Sequence, residues 1–297
     1  MGKKGKKGQA GKPKKLTPKD VGKRLDTLAK NFEEELKGAD LFAPVPPTDD
    51  CAICFLPLSR VATNSSFWVC CGKMICIGCS GENKALIKKQ NEKNANKKDK
   101  KPIVRTCPFC REPTSSSDRE HVRRLEARAL KNDHVALNIL GGSCARGYYG
   151  LPTDDLKALD YWIRAAKLGS LEVCTSIGSY YCGGLGVSKD TEREALFNIV
   201  GALRGCILAR HKIGVSEYES GNHEVGIRHW MIAAEAGSQP SLDVLKNIYN
   251  ADGKFFRKEF ISKECMDSLY RVCHDAQEEV KSEERKKHGH DDDKMMC

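Results

Sequence analysis

The chain has no apolar run of the ~18–20 residues that a membrane-crossing helix needs. Its best stretch, Ala195 to Leu208, is broken by Arg204. The N-terminus opens on lysines and glycines without an apolar h-region, which argues against a secretory signal. Gly2 follows the initiating Met, but Lys6 stands where a myristoylation signal wants Ser or Thr. Aromatics are sparse at 7%, and none lies among the lysines of residues 1–15. No histidine occurs between Cys51 and Cys110. These absences point to an intracellular protein, of cytoplasm or nucleus, with no membrane partner. In that reducing setting, fifteen cysteines argue for metal sites or buried thiols rather than disulfides.

What is present is unevenly distributed. The 297 residues leave room for about two domains, and a 40% hydrophobic share allows a sizeable core. Residues 1–24 carry +9 and residues 82–105 carry +6 of the net +10, so the rest of the chain sums to −5. The basic character is therefore local and the body is mildly acidic. Residues 1–15 are low-complexity with nothing apolar to anchor them. Val21, Leu25, Leu28 and Phe32 recur at helical spacing and mark a short helix at 17–38. Together these give a basic, largely disordered tail over 1–40, followed by a Pro-rich linker over 41–50.

Four cysteine pairs then fall within sixty residues: Cys51/Cys54, Cys70/Cys71, Cys76/Cys79 and Cys107/Cys110. Two thiolates spaced C-x2-C can grip one tetrahedral zinc from a tight turn, and eight soft ligands suffice for two closed sites. A segment this short has difficulty stabilising itself by burial alone. A structural zinc can supply about 10–16 kcal/mol of apparent binding free energy to folding.

The stretches C51-A-I-C54, C71-G-K-M-I-C76-I-G-C79 and C107-P-F-C110-R111 resemble the RING family. The resemblance covers residues 51–112. It implies a cross-braced arrangement with two structural zinc ions. Cys51, Cys54, Cys76 and Cys79 would hold one, and Cys70, Cys71, Cys107 and Cys110 the other. Two features depart from the common pattern. Lys73 stands where a His ligand is usual, and the middle pair is adjacent, which asks for a contorted backbone. The Cys79–Cys107 segment reads as a long, Lys-rich loop. RING ligases bind a ubiquitin-charged conjugating enzyme (E2) and hold it in a reactive pose, a catalysis of positioning without a covalent intermediate. By resemblance, Ile53 and Pro108 would form the two sides of the docking groove. Arg111 would bridge ubiquitin and the conjugating enzyme, a role that suits the planar guanidinium. Pairing of two RINGs is a further partner the family allows.

From Asp118 the pattern turns helical, first as a connecting helix over 113–132. A repeat follows over 133–275, and a charged tail over 276–297. One element is a small or aliphatic residue four positions before an aliphatic one, followed by Gly: Ala136…Leu140-Gly141, Val173…Ile177-Gly178 and Ala209…Ile213-Gly214. Ser241…Leu245 is a weaker copy. The other element is a small pair with Gly three further on: Ala165-Ala166…Gly169, Gly201-Ala202…Gly205 and Ala233-Ala234…Gly237. Each closing Gly fits a helix C-cap. Trp162 and Trp230 match in position and are expected between neighbouring helices. The fragments GYYGLPTDDLKALDYWIRAAKLGS and GGLGVSKDTEREALFNIVGALRGC resemble Sel1-like repeats. That family implies an α-solenoid that binds proteins or peptides.

The expected fold is therefore mostly α: a small two-zinc RING domain followed by a solenoid of Sel1-like helix pairs, behind a disordered basic tail. The expected function is a RING-type ubiquitin ligase with a substrate or adaptor protein on the solenoid. A non-enzymatic, zinc-stabilised scaffold is the alternative. Nucleic-acid contact through the basic segments ranks third. The remaining cysteines read as small apolar residues, and His288 and His290 as a solvated end.

Overall fold

The computed structural model describes residues 16–60, 64–95, 103–250 and 261–279. Helix α1 (Pro18–Glu35) begins with Thr17 as N-cap and Pro18 in the first turn. It buries Val21, Leu25, Leu28, Ala29 and Phe32 along one stripe, as their spacing requires. This stripe packs against α5 (Asp155–Lys167) and α7 (Thr191–Leu203). The short helix expected at 17–38 is present as Pro18–Glu35, but it is not part of a tail. It is a helix fused to the main core, tied at its polar edge by the ion pairs Arg24–Asp160, Arg193–Asp26 (2.8 Å) and Arg204–Glu35 (2.8 Å). Residues 1–15 lie outside the described residues.

The 41–50 linker is corrected in the same way. It lies along the helices as a strap. Arg210, fully buried in α8 (Ile207–Glu219), donates to the carbonyls of Leu41 (2.8 Å), Ala43 (3.2 Å) and Ala202 (3.3 Å). Phe42 packs at a tilt against the His229 ring, and the Arg228 guanidinium sits 3.8 Å from the Phe42 ring centre. Burial and the Arg210 charge push His229 down to about 4, so the imidazole under the strap is neutral at physiological pH.

The repeats form helix pairs. α4 (His134–Arg146) packs on α5, α6 (Glu172–Gly183) on α7, and α8 on α9 (His223–Glu235). α3 (Asp118–Ala129) leads into α4, and α10 (Gln239–Asn250) and α11 (Lys263–Glu279) follow α9. The glycines at 169, 205 and 237 all take positive φ at helix ends, as their spacing predicts. The main core runs from α1 through α3–α7, and a separate cluster joins α9–α11.

The other repeated glycine has a different reason. An ideal Cβ on Gly141 would stand 2.4 Å from Trp162 Nε1, and one on Gly214 would stand 2.5 Å from Trp230 Nε1. Each tryptophan sets the nitrogen side of its indole against the glycine of the preceding helix. Asn198 takes this place over Gly178. Gly142, one residue along α4, would meet only the end of Arg146 at 3.8 Å. Gly141→Ala is therefore expected to destabilise the chain by about 1–3 kcal/mol through overpacking. Gly142→Ala is expected to be neutral or to stabilise by up to about 1 kcal/mol, because Ala is the better helix former. Denaturant unfolding of the pair measures this. Equal effects would mean that Trp162 does not constrain this site.

Within the cysteine block, strands β1 (Ser65–Trp68) and β2 (Lys73–Cys76) form an antiparallel hairpin. α2 (Ile77–Ala95) follows directly. The segment after Cys79 is thus a helix over most of its described length, where a loop was expected. Its side chains hold the returning chain: Asn91 bonds both Ile103 N (2.6 Å) and Ile103 O (3.0 Å), and Asn83 donates to Thr106 O (3.4 Å). Arg105 returns to Ser80 Oγ (3.0 Å) and lies over the Trp68 ring. Leu58, Trp68 and Ile75 supply the block's small core beside the cysteines. The hairpin's Val69 and Phe67 belong instead to the main core with α1 and α3, so the block is seated on the helix stack.

Candidate metal centre

Two turns of the same design carry the outer cysteine pairs. Cys51 N–H donates to Leu56 O, and Cys107 N–H to Glu112 O, both at 2.8 Å. Phe55 N–H closes on Cys51 O (2.9 Å), and Arg111 N–H on Cys107 O (3.0 Å). Each turn opens from an antiparallel bridge, Asp50 with Pro57 and Thr106 with Pro113. The residue after the second cysteine takes left-handed backbone in both, Phe55 at φ +57° and Arg111 at φ +62°. Neither is a glycine, so the strain is held by the turn around it. The spacing C-x2-C signals the turn; nothing in the sequence signals the left-handed residue after it.

The inner pairs come from the hairpin. Cys76 ends β2 and Cys79 lies in the first turn of α2. The adjacent Cys70 and Cys71 occupy the hairpin turn. Cys71 and Gly72 both donate their N–H to Trp68 O, at 3.1 and 2.7 Å, and Gly72 adopts φ +74°. This is the contortion that neighbouring ligands require. Gly72 also lies against the Arg128 guanidinium of α3, which an added Cβ would meet at 1.9 Å.

The eight sulfurs assemble as two interleaved tetrads: Cys51, Cys54, Cys76 and Cys79 form one, and Cys70, Cys71, Cys107 and Cys110 the other. In each tetrad the sulfurs lie within 4.8 Å of one another. Cys54 and Cys76 sulfurs are 3.9 Å apart, and Cys71 and Cys107 sulfurs 3.5 Å. Four thiolates at about 2.3 Å from a tetrahedral ion would stand about 3.8 Å apart, so the donor sets fit a metal ion.

The electrostatics of the tetrads favour a cation. Burial opposes ionisation of Cys51, but backbone N–H groups of Cys54, Cys76 and Ile53 outweigh it and bring the thiol down to about 6. Cys107 is lowered in the same way, against burial, by N–H groups of Cys110 and Phe109. Cys70, Cys71 and Cys79 are pushed up, first by burial and then by the sulfurs beside them. Each tetrad thus sets one sulfur that ionises more readily than a free thiol among partners that resist a negative charge. A divalent cation removes that resistance.

The three candidate contact residues lie on the two outer turns. Ile53, 38% exposed, is on the first; Pro108 and Arg111, both exposed, are on the second. Phe55 (76% exposed) and Phe109 (36%) stand on the same turns, and sequence reasoning missed both. Among the other cysteines, Cys144, Cys174 and Cys273 are buried, and Cys206 and Cys265 part-buried. Cys182 is exposed, contrary to its expected place in an apolar interior. Cys297, His288 and His290 lie outside the described residues. Among those described, no helix is long and apolar enough to cross a membrane.

No family model and no curated protein matches the chain. Among solved structures, the chain is similar to a Sel1 repeat protein from Oxalobacter formigenes, at 26% identity and a TM-score of 0.45, over 53% of this chain and 64% of that one. It is also similar to a protective antigen of uropathogenic Escherichia coli displaying an SLR fold, at 19% identity and a TM-score of 0.47, over 66% and 39%. A Pseudomonas aeruginosa protein matches at 12% identity and a TM-score of 0.33, over 66% and 83%. The chain spans less than two thirds of the first two structures' own lengths. On its own contacts, the protein is a mostly helical solenoid of paired helices, seated against a block whose two cysteine tetrads can hold metal ions.

Proposed function

We propose that the cysteine block is a two-zinc RING-type module that recruits a ubiquitin-charged conjugating enzyme, and that the helix stack recruits a protein for modification. The observation that carries this reading is the interleaving of the tetrads: the first and third cysteine pairs share one cluster, the second and fourth the other. All-sulfur, four-coordinate sets suit zinc among the metals a cell offers. Zinc there supplies structure. Four thiolates close each site, leaving no position for water. The chemistry of transfer then falls to surface residues. Ile53 and Pro108 present apolar contacts from the two outer turns. Arg111 presents a guanidinium whose backbone is fixed by the bond to Cys107 O, which pre-sets its direction.

The experiment is discharge of ubiquitin from a panel of charged conjugating enzymes by the zinc-loaded full chain. Stimulation is expected, with Ile53→Ala and Arg111→Ala each slowing it by about tenfold or more, near 1.4 kcal/mol of barrier. Both variants should keep two zincs and the parent melting curve, since both side chains are exposed. A loaded, folded chain that stimulates none of the panel would sink the ligase reading. One observation favours the second reading, a zinc-stabilised scaffold. The hairpin is built into the main core through Phe67 and Val69, as a structural module would be.

A further inference from the structure

We infer that the open groove between the end of the cysteine block and the start of α3 binds an acidic segment of a partner protein. The groove has a volume of about 470 Å³. One wall is cationic, formed by Arg119, Arg123 and Arg124 on α3. The other is aliphatic and hydroxylic, formed by Val104, Pro113 and Thr114, with Ser116 at the corner. Val104 is 60% exposed, so its side chain is open to a ligand in the groove.

The arginines are already arranged for carboxylates. Arg123 grips Glu120 with two nitrogens, at 2.8 and 2.9 Å, and Arg124 adds a third contact at 2.7 Å. Arg124 is further fixed by Pro113 O at 2.7 Å, and its side chain is only 20% exposed. Glu120 is therefore an internal example of the ligand this wall accepts, and its carboxyl is held down at about 2 by Arg123 and Arg124. One carboxylate does not saturate the wall. Arg123 remains 70% exposed, and Arg119 has no acidic partner among the described residues. Asp118 is the only other acidic residue of the first turn. Among the described lining residues, three guanidinium groups are set against the single carboxylate of Glu120, so the groove keeps a positive balance. Planar guanidinium forks suit carboxylate and phosphate oxygens alike.

The walls select a peptide over a nucleic acid. Among the described residues, no aromatic side chain lines the groove, so bases lack an aromatic platform to stack on. Val104 and Pro113 instead offer an apolar strip beside the charges. That pairing fits a chain in which acidic and aliphatic side chains alternate. The inference stands whether or not the protein transfers ubiquitin, because its readout is binding.

The test uses the zinc-loaded full chain and three labelled peptides, followed by fluorescence anisotropy. One alternates glutamate with valine, one replaces glutamate by phosphoserine, and one replaces it by glutamine. A labelled oligothymidylate serves as a fourth probe. The glutamate and phosphoserine peptides are expected to bind and the glutamine peptide to bind at least about tenfold more weakly. The double substitution Arg119→Glu, Arg123→Glu should weaken the acidic peptides by about tenfold or more. Lys84→Glu with Lys88→Glu, on α2, should leave them unchanged. All four side chains are exposed, so the fold should survive both changes, and matched melting curves establish that. Absence of peptide binding would overturn the inference. So would binding that the α2 substitutions abolish and the α3 substitutions spare, or oligothymidylate binding tighter than either acidic peptide through the same arginines.

Discussion

Replacing Cys51 with serine, or stripping the chain with a strong chelator, is expected to unfold the region from residue 50 to residue 114 and to loosen the adjoining end of the helix stack. The block's own apolar core amounts to Leu58, Trp68 and Ile75 with the cysteines around them. A whole domain is stable by only about 5–15 kcal/mol. One structural zinc contributes about 10–16 kcal/mol of apparent binding free energy, so the loss of either site exceeds what so small a core can offset. Cys51 is the severest single choice. Its sulfur is fully buried and accepts from Cys76 N–H at 3.4 Å, so it organises the first turn and the hairpin together.

The damage should spread unevenly. Val69 belongs to the main core that includes α1 and α3, and Phe67 packs against that core, whereas the α9–α11 cluster shares no residue with the block. Amide exchange should therefore show lost protection in residues 50–114, partial loss in α1 and α3, and little change in α9 and α10. Native mass spectrometry should count two ions on the parent chain. The exposed Cys182, replaced by serine, is the matched control and should keep both. Unchanged protection of residues 50–114 in a chain proven free of metal would refute the zinc-dependent fold.

The cysteine turns and the repeat glycines were legible because each is a short-range pattern with one physical cause. A C-x2-C turn must close on itself, and a helix must end where a closing glycine permits positive φ. The two uses of glycine were only half legible. Gly169 announces a helix end locally, but Gly141 is small because Trp162 lies over it, a contact made across two helices. The α2 helix was misread for another reason. Its lysines and asparagines carry no apolar stripe, so periodicity had nothing to report. Its helical state goes with cross-chain bonds such as Asn91 to Ile103. The strap was the plainest miss. Proline-rich composition suggests a linker, and Arg210 looks like an ordinary surface charge in α8. Only in the fold does a buried guanidinium meet the carbonyls of Leu41 and Ala43. The cationic groove, too, is assembled by juxtaposition, since Val104 and Arg119 are brought together by the turn at Cys107–Cys110.

Phe32→Ala is expected to be among the most damaging single substitutions outside the cysteines, although it falls in a segment read from sequence as a largely disordered basic tail with one short helix. Phe32 is 3% exposed. Its ring meets Phe197 edge-on at 5.6 Å, and the Arg204 guanidinium lies 4.7 Å from its centre. Arg204 in turn holds Glu35 and donates to Ala166 O at 3.2 Å, so one arginine joins α1 to two repeats through the space beside this ring. Removing a buried phenylalanine costs about 3–5 kcal/mol, a transfer term plus the cavity left behind. Phe197 is itself fully buried and cannot readily move to fill the gap. For a chain of this size, with about 2–4 °C per kcal/mol, the melting temperature should fall by roughly 6–20 °C. Removing residues 1–15 alone is the matched comparison and should leave the melt unchanged. Removing residues 1–46 should do more than Phe32→Ala, because it uncovers the α5 and α7 surfaces beneath α1 and leaves the Arg210 guanidinium without the Leu41 and Ala43 carbonyls. Aggregation of that truncated chain, with the 1–15 deletion soluble, would place the stabilising element in α1 and the strap. A truncated chain that melts like the parent would show instead that the helix pairs bury their own surface and that α1 is an addition to a complete solenoid.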